Sequence, residues 1–184
     1  MLLQWLQFNI DITTLLWLFP IVFMFHDFEE ILTIEGWIKK HGHAVQSVIP
    51  KRLQKFYASS FRMNTLQFAK DVFWIFLTIV GATILAVIFS FHFFFLMLLS
   101  LFFFHVFTHL GQMIMLKIYT PGVITSVALV LPYSLYTYFR LWTEGIIFLE
   151  DIVWSAISMA VILPFLLLLL IKVRDRETTK STSP

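Results

Sequence analysis

The sequence has no cysteine and few charged residues, which make up 13% of its 184 positions. Without cysteine there is no disulfide framework, and the redox compartment leaves no mark on the sequence. The charged share is about half of what a soluble domain carries. The charged surface that a soluble protein of this length needs is therefore missing. The sequence also has no internal repeat, glycine-rich phosphate loop or nucleic-acid-binding signature, so we expect no nucleic-acid partner.

Hydrophobic residues are abundant instead: they form 59% of the chain, with 22 Phe and a mean hydropathy of +0.86. Long uncharged runs of about 20 residues are what a membrane-spanning helix requires. The sequence therefore predicts an all-α fold, a polytopic membrane helical bundle. Its five predicted transmembrane helices are Ile12–Ile34, Ala69–Phe89, His92–Leu116, Pro121–Leu141 and Phe148–Ile171.

The boundaries of these runs give one five-span domain over residues 1–171. Residues 35–68 are predicted as a basic, amphipathic cytoplasmic loop, and residues 172–184 as a disordered cytoplasmic tail. The first residues lack the basic stretch of a cleavable signal peptide, so we expect the first span to be retained.

Basic residues are concentrated on one side of the predicted bundle. They lie in the loop after the first span, between the third and fourth spans, and in the tail. By the positive-inside rule, the N-terminus is outside and the C-terminus inside. We expect an integral protein of the cell membrane, with membrane lipids as its surroundings.

The densest cluster of ionisable residues, "HDFEE" at residues 26–30, falls within the first predicted span. On a helix, His26, Glu29, Glu30 and Thr33 share one stripe, and Asp27 lies beside it. An acidic group at the centre of a membrane costs about 2.5–3.5 kcal/mol, so such groups usually have a function. No Lys or Arg lies in the middle of a predicted span, which leaves protonation, histidine partners with or without a metal, or a water-filled cavity. The alternative is a first span that ends before the cluster, leaving it as a polar helix end.

A second polar stripe occurs in the third predicted span, where His105, His109 and Gln112 follow one another at i, i+4 and i+7. At 1.5 Å per residue, His109 lies about 12 Å from Lys117 and Glu30 about 13 Å from Lys39, the basic residues that mark the inner side of each span. The two stripes are thus predicted at the same depth.

Histidines and carboxylates that face each other at one depth are typical of a metal site. We predict that a divalent metal is bound there, zinc first and iron or manganese as alternatives. The predicted ligands are His26, Glu30, His105 and His109. Gln112, Tyr119 and Thr125 are predicted as supporting residues at this site.

The pattern H-x-x-E-E in a first span, followed by His105 and His109 and then by "YTPG", resembles the HXXEE-domain family of small membrane proteins. The resemblance covers about residues 12–171. It implies a membrane enzyme or a metal-binding protein. It also implies a second motif with Asn or His four residues before a His, in which His105 stands where Asn is usual.

The first functional hypothesis is an intramembrane metal-dependent hydrolase that acts on a lipid or a peptide. Glu29 and Glu30 are its catalytic candidates, with Glu29 as general base. One alternative is a metal-free glutamic intramembrane protease. Another is a proton- or ion-coupled transporter or channel subunit, in the form of a homodimer, that uses the same cluster as a relay. A non-catalytic or haem-binding subunit is the remaining alternative.

Overall fold

The computed structural model describes residues 2–48 and 64–181, which form helices joined by short turns. The helices before the gap are α1 (Leu2–Asn9) and α2 (Ile12–Val48). Those after it are α3 (Thr65–Phe89), α4 (His92–Leu116), α5 (Val123–Thr125), a π-helical turn (Ser126–Val130), α6 (Leu131–Thr143) and α7 (Leu149–Ser181). The all-α prediction is confirmed for the described residues.

Two of these helices, α3 and α4, are long and apolar enough to cross a membrane. This supports membrane association for that pair by length and composition. The arrangement of five spans and its orientation stay predictions.

The first and last long helices extend beyond the boundaries that hydrophobicity predicts. α2 continues from Ile34 to Val48, so residues 35–48 are helical and do not begin a loop. α7 continues to Ser181, so the predicted disordered tail is helical up to that residue. Polar residues without a proline do not end a helix, and hydrophobicity alone therefore places these ends too early. Residues 49–63, which make up much of the predicted amphipathic loop, and the last residues, 182–184, lie outside the described residues.

α2 and α3 run antiparallel and are joined near one end by the Glu35 carboxylate. Its Oε2 accepts hydrogen bonds from Thr65 N at 2.9 Å and from Thr65 Oγ1 at 2.7 Å, while Oε1 accepts one from Lys39 Nζ at 2.8 Å. Asn64 and Gln67 form a capping box at the start of α3. These contacts satisfy N–H groups that a helix start leaves free, and so fix where α3 begins beside α2.

An aromatic core lies where α2, α4 and α6 meet. The ring of Phe19 is fully buried, and its centroid lies 5.2 Å from that of Phe95, 5.5 Å from Phe102 and 6.0 Å from Tyr133. The ring of Phe102 is also 5.7 Å from the imidazole of His26. The apolar core therefore reaches the histidines directly.

Residues 119–125, named here the cap segment, bring the chain back from the end of α4 towards α2. Lys117 ends α4 in the left-handed conformation, at φ 55°, and Gly122 has φ 81°. The indole Nε1 of Trp37 donates a hydrogen bond to the carbonyl oxygen of Tyr119 at 2.6 Å. The cap segment is thus attached to α2, beyond the residues that α2 contributes to the site.

Candidate metal centre

Two neighbouring helices each present two potential metal ligands. His26 and Glu30 are one turn apart on α2, and His105 and His109 are one turn apart on α4, so each pair shares a helix face. One nitrogen or oxygen atom from each residue lies within 4.8 Å of the others. We call these four residues the ligand cluster. His26 and His109 are buried, and the other two are half-buried.

The side chains of the ligand cluster contact one another directly. His109 Nε2 lies 2.8 Å from His105 Nε2 and 3.3 Å from Glu30 Oε1. The His26 ring centroid lies 5.4 Å from that of His105 and 5.1 Å from that of His109. A tetrahedral cation with ligands at about 2.0–2.1 Å places neighbouring donor atoms roughly 3.3 Å apart. The contact between His109 Nε2 and Glu30 Oε1 has this length, the contact between His109 and His105 is shorter at 2.8 Å, and all four donor atoms lie within 4.8 Å of one another.

Two imidazole nitrogens in the cluster are buried without a hydrogen bond among the described residues: His26 Nε2 and His109 Nδ1. The backbone carbonyl of Pro121 lies near the His109 ring, but it does not form a hydrogen bond with His109 Nδ1. A buried polar atom without a partner costs about 1–3 kcal/mol. A cation between the four side chains would give His26 Nε2 a partner.

Glu29 lies outside the ligand cluster and binds the cap segment with both carboxylate oxygens. Oε1 accepts hydrogen bonds from Tyr119 Oη at 2.6 Å and from Ile124 N at 3.4 Å. Oε2 accepts hydrogen bonds from Thr125 N at 2.8 Å and from Thr125 Oγ1 at 2.6 Å. Four donors therefore occupy the carboxylate that the sequence predicts as a general base, and two of the predicted supporting residues, Tyr119 and Thr125, supply three of them.

Gly122 brings the backbone of the cap segment against the ligand cluster. A Cβ atom built at this position would lie 2.7 Å from His109 Cε1 and 2.8 Å from Glu30 Oε1. These separations are shorter than real Cβ contacts, and the positive φ is one that only glycine adopts without strain. The absence of a side chain at Gly122 therefore leaves room for Glu30 and His109.

Two further polar side chains singled out in the sequence are not among the four residues of the ligand cluster. Gln112 is exposed on α4, so it does not share the environment of His105 and His109. Asp27 is 6% exposed, and its Oδ2 makes no hydrogen bond among the described residues.

Sequence reasoning missed two residues that shape the site: Phe102 and Gly122. Phe102 was one aromatic residue among many, and nothing in the spacing set it apart. Gly122 follows Pro121, a dipeptide that marks a turn, and this signal was available. It indicates a turn without indicating which side chains the turn approaches.

Comparison with known protein families gives one match. A family model described as a protein of unknown function with an HXXEE motif matches residues 17–137. The chain belongs to the HXXEE family. The motif of this HXXEE protein corresponds to His26, Glu29 and Glu30, and the matched range also contains both α4 histidines and the cap segment. No curated protein and no solved structure matches the chain.

Proposed function

We propose that this HXXEE protein is a membrane-embedded, metal-dependent enzyme of the hydrolase type, with one divalent cation held by the ligand cluster. The observation that carries the proposal is the convergence of three imidazoles and one carboxylate, from two helices, within 4.8 Å. Histidine donors with a single carboxylate are typical of catalytic zinc sites, which makes zinc the first candidate. Iron and manganese accept the same donors.

The chain's own residues supply three neutral donors and one negative charge. A divalent cation bound there would polarise a carbonyl or phosphoryl oxygen and lower the pKa of a water molecule. The aromatic core beside His26 excludes water from one side of the site, and the cap segment covers another. We propose that the substrate is a lipid or a peptide with a hydrolysable ester or amide bond, reaching the site from the inner leaflet.

The membrane part of the proposal is supported by the exposed faces of α3 and α4. Large apolar side chains are exposed on these two helices: Phe73, Trp74, Ile75, Leu77, Ile88, Phe89, Phe104, Phe107, Ile114 and Met115. An apolar surface of this extent is unfavourable in water and is the normal outer surface of a membrane bundle. We propose five spans in the cell membrane, with the N-terminus outside and the C-terminus inside.

A second candidate function, proton or ion transport, is favoured by one specific arrangement. The contacts from His105 to His109 and from His109 to Glu30, at 2.8 and 3.3 Å, form a continuous row of groups that exchange protons. Rows of histidines and carboxylates act as relays in pumps and transporters.

The test is metal analysis of the protein purified in detergent, with a histidine variant on the same helix as control. We expect about one zinc, iron or manganese per chain in the wild type and loss of it in His109→Ala. His92→Ala is the control, because His92 lies at the opposite end of α4 and outside the ligand cluster. Metal-free wild-type protein that is folded and does not bind added Zn²⁺, Fe²⁺ or Mn²⁺ would falsify the metal site.

Activity separates the two functions. Hydrolysis of fluorogenic phospholipid or peptide substrates, abolished by His109→Ala and retained by His92→Ala, supports the enzyme. Proton flux in liposomes that Glu30→Gln abolishes, together with no hydrolysis of either substrate type, supports transport and contradicts the enzyme.

A further inference from the structure

The hydroxyl of Thr125 lies between Glu29 and His26 and contacts both. Thr125 Oγ1 is 2.6 Å from Glu29 Oε2 and 3.0 Å from His26 Nδ1. A hydroxyl has one proton to donate and can accept at its lone pairs. The shorter contact is the one to Glu29. Both oxygens of its carboxylate accept hydrogen bonds, so the carboxylate has no proton to donate to the threonine.

The direction of the second hydrogen bond follows from this count. Because the Thr125 proton is donated to Glu29, the hydroxyl oxygen must accept at its contact with His26. The Nδ1 atom of His26 then carries the ring hydrogen of a neutral imidazole. Its Nε2 has a bare lone pair, and Nε2 is the buried atom that has no hydrogen bond among the described residues.

A second histidine of the cluster, His105, also has a threonine hydroxyl next to its Nδ1, that of Thr108. Thr108 Oγ1 donates to the carbonyl oxygen of His105 at 2.7 Å, which can only accept. The same hydroxyl therefore accepts from His105 Nδ1, at 3.2 Å. His105 Nε2, which faces His109, is left with a bare lone pair in the same way.

We propose that Glu29 is a positioning residue: through the Thr125 hydroxyl it holds His26 in the tautomer with hydrogen on Nδ1, so that Nε2 is directed at the cation site. This rests on the proposed metal site and assigns its carboxylates different tasks. Glu30 is a ligand, and Glu29 fixes the orientation and tautomer of another ligand. Hydrogen bonds of this kind, from a histidine ligand to a group behind it, set which nitrogen binds the metal.

The first test needs no metal. Nitrogen-15 NMR of histidine-labelled protein at neutral pH, with His26 assigned by its loss in His26→Gln, reports which ring nitrogen carries hydrogen. We expect hydrogen on Nδ1 of His26. Hydrogen on Nε2, or on both nitrogens, would overturn the proposal.

The second test removes the hydroxyl while keeping the shape of the side chain. Thr125→Val is expected to abolish the single tautomer of His26 and to weaken zinc binding about 10- to 100-fold. Zinc affinity is measured by competition with a chromophoric chelator. Thr125→Ser, which restores the hydroxyl, is expected to restore both the tautomer and the affinity. The proposal is overturned by a Thr125→Val protein that keeps both wild-type properties.

Thr78→Val is the matched control for this change. Thr78 Oγ1 donates to the carbonyl oxygen of Trp74 at 2.9 Å on α3, and neither residue belongs to the ligand cluster. We expect it to leave the His26 tautomer and the zinc affinity unchanged. Should Thr125→Val not fold, Thr125→Ala gives the same test, since it also removes the hydroxyl that links Glu29 to His26.

The two proposals fail in different ways. If the wild type binds no metal but His26 carries hydrogen on Nδ1 and loses this preference in Thr125→Val, the metal site is wrong and the positioning role stands. If the wild type binds metal and His26 keeps its tautomer in Thr125→Val, the metal site stands and the positioning role is wrong.

Discussion

Gly122 contributes to the site by having no side chain. In Gly122→Ala, the added methyl group would meet His109 and Glu30 at separations of 2.7–2.8 Å, and the residue would keep an unfavourable φ of 81°. The backbone strain alone costs on the order of 1–3 kcal/mol. We therefore expect a lower thermal midpoint and at least a tenfold loss of zinc affinity, measured in detergent by intrinsic fluorescence and by chelator competition.

Gly111→Ala is the control for this substitution. Gly111 lies within α4, and a Cβ atom there meets nothing within 4 Å. Alanine is favoured over glycine within a helix by roughly 0.5–1 kcal/mol, so this variant should be equally or more stable and bind zinc normally. Equal effects of the two substitutions would contradict the role assigned to Gly122.

At the residue scale, helix periodicity accounts for much of the ligand cluster but not for its surroundings. The spacing from His26 to Glu30 and from His105 to His109 indicates which residues share a face, and loop charges indicate their depth. The task of Glu29 depends on Thr125, which is 96 positions away in the sequence. Helix periodicity carries no information about such a contact, because it is made by a turn that folds back onto α2.

At the scale of elements, α2 differs most from its prediction, since it is 37 residues long. Its polar second half places Glu35 and Trp37 on the same continuous helix as the motif. A hydropathy boundary marks where apolar residues stop, whereas a helix ends where its hydrogen-bond ladder is interrupted. Hydropathy therefore places the end of α2 too early, and helix-ending signals are needed to predict its second half.

The contact between α2 and α3 is expected to depend on pH. Hydrogen bonds from Lys39 and Thr65 lower the pKa of Glu35 from 4.5 to about 2. A carboxyl group whose pKa is lower in the folded state stabilises the fold above its unfolded pKa, and this contribution is lost as the pH falls through the folded value. We expect the thermal midpoint to fall between about pH 4.5 and pH 2, by a smaller amount in Glu35→Gln than in the wild type.

Thr78→Val controls for removal of a polar contact elsewhere on α3, because Thr78 Oγ1 donates to the Trp74 carbonyl and is far from Glu35. Its midpoint should follow the wild-type pH dependence. A Glu35→Gln protein with the same acid dependence as the wild type would show that other carboxyl groups cause the loss.

At the scale of the whole molecule, the absence of cysteine makes the proposed orientation directly measurable. Single-cysteine variants carry no background thiol, so a membrane-impermeant maleimide reports which side each position faces. We expect Thr143→Cys to be labelled from outside intact cells and Lys40→Cys only after the membrane is permeabilised. Both positions are exposed. Labelling of Lys40→Cys in intact cells, with Thr143→Cys protected, would reverse the proposed orientation.

The attachment of the cap segment to α2 also bears on how fast a bound ion leaves. Trp37 and Glu29 hold this segment from two levels of the helix that carries His26 and Glu30, so the cover and half of the ligands move together. An ion could leave on the cap side only when several of these hydrogen bonds open at once. For a cation held as proposed, release on that side would then require local opening of the cap segment, so its residence time would be long even where its equilibrium affinity is moderate.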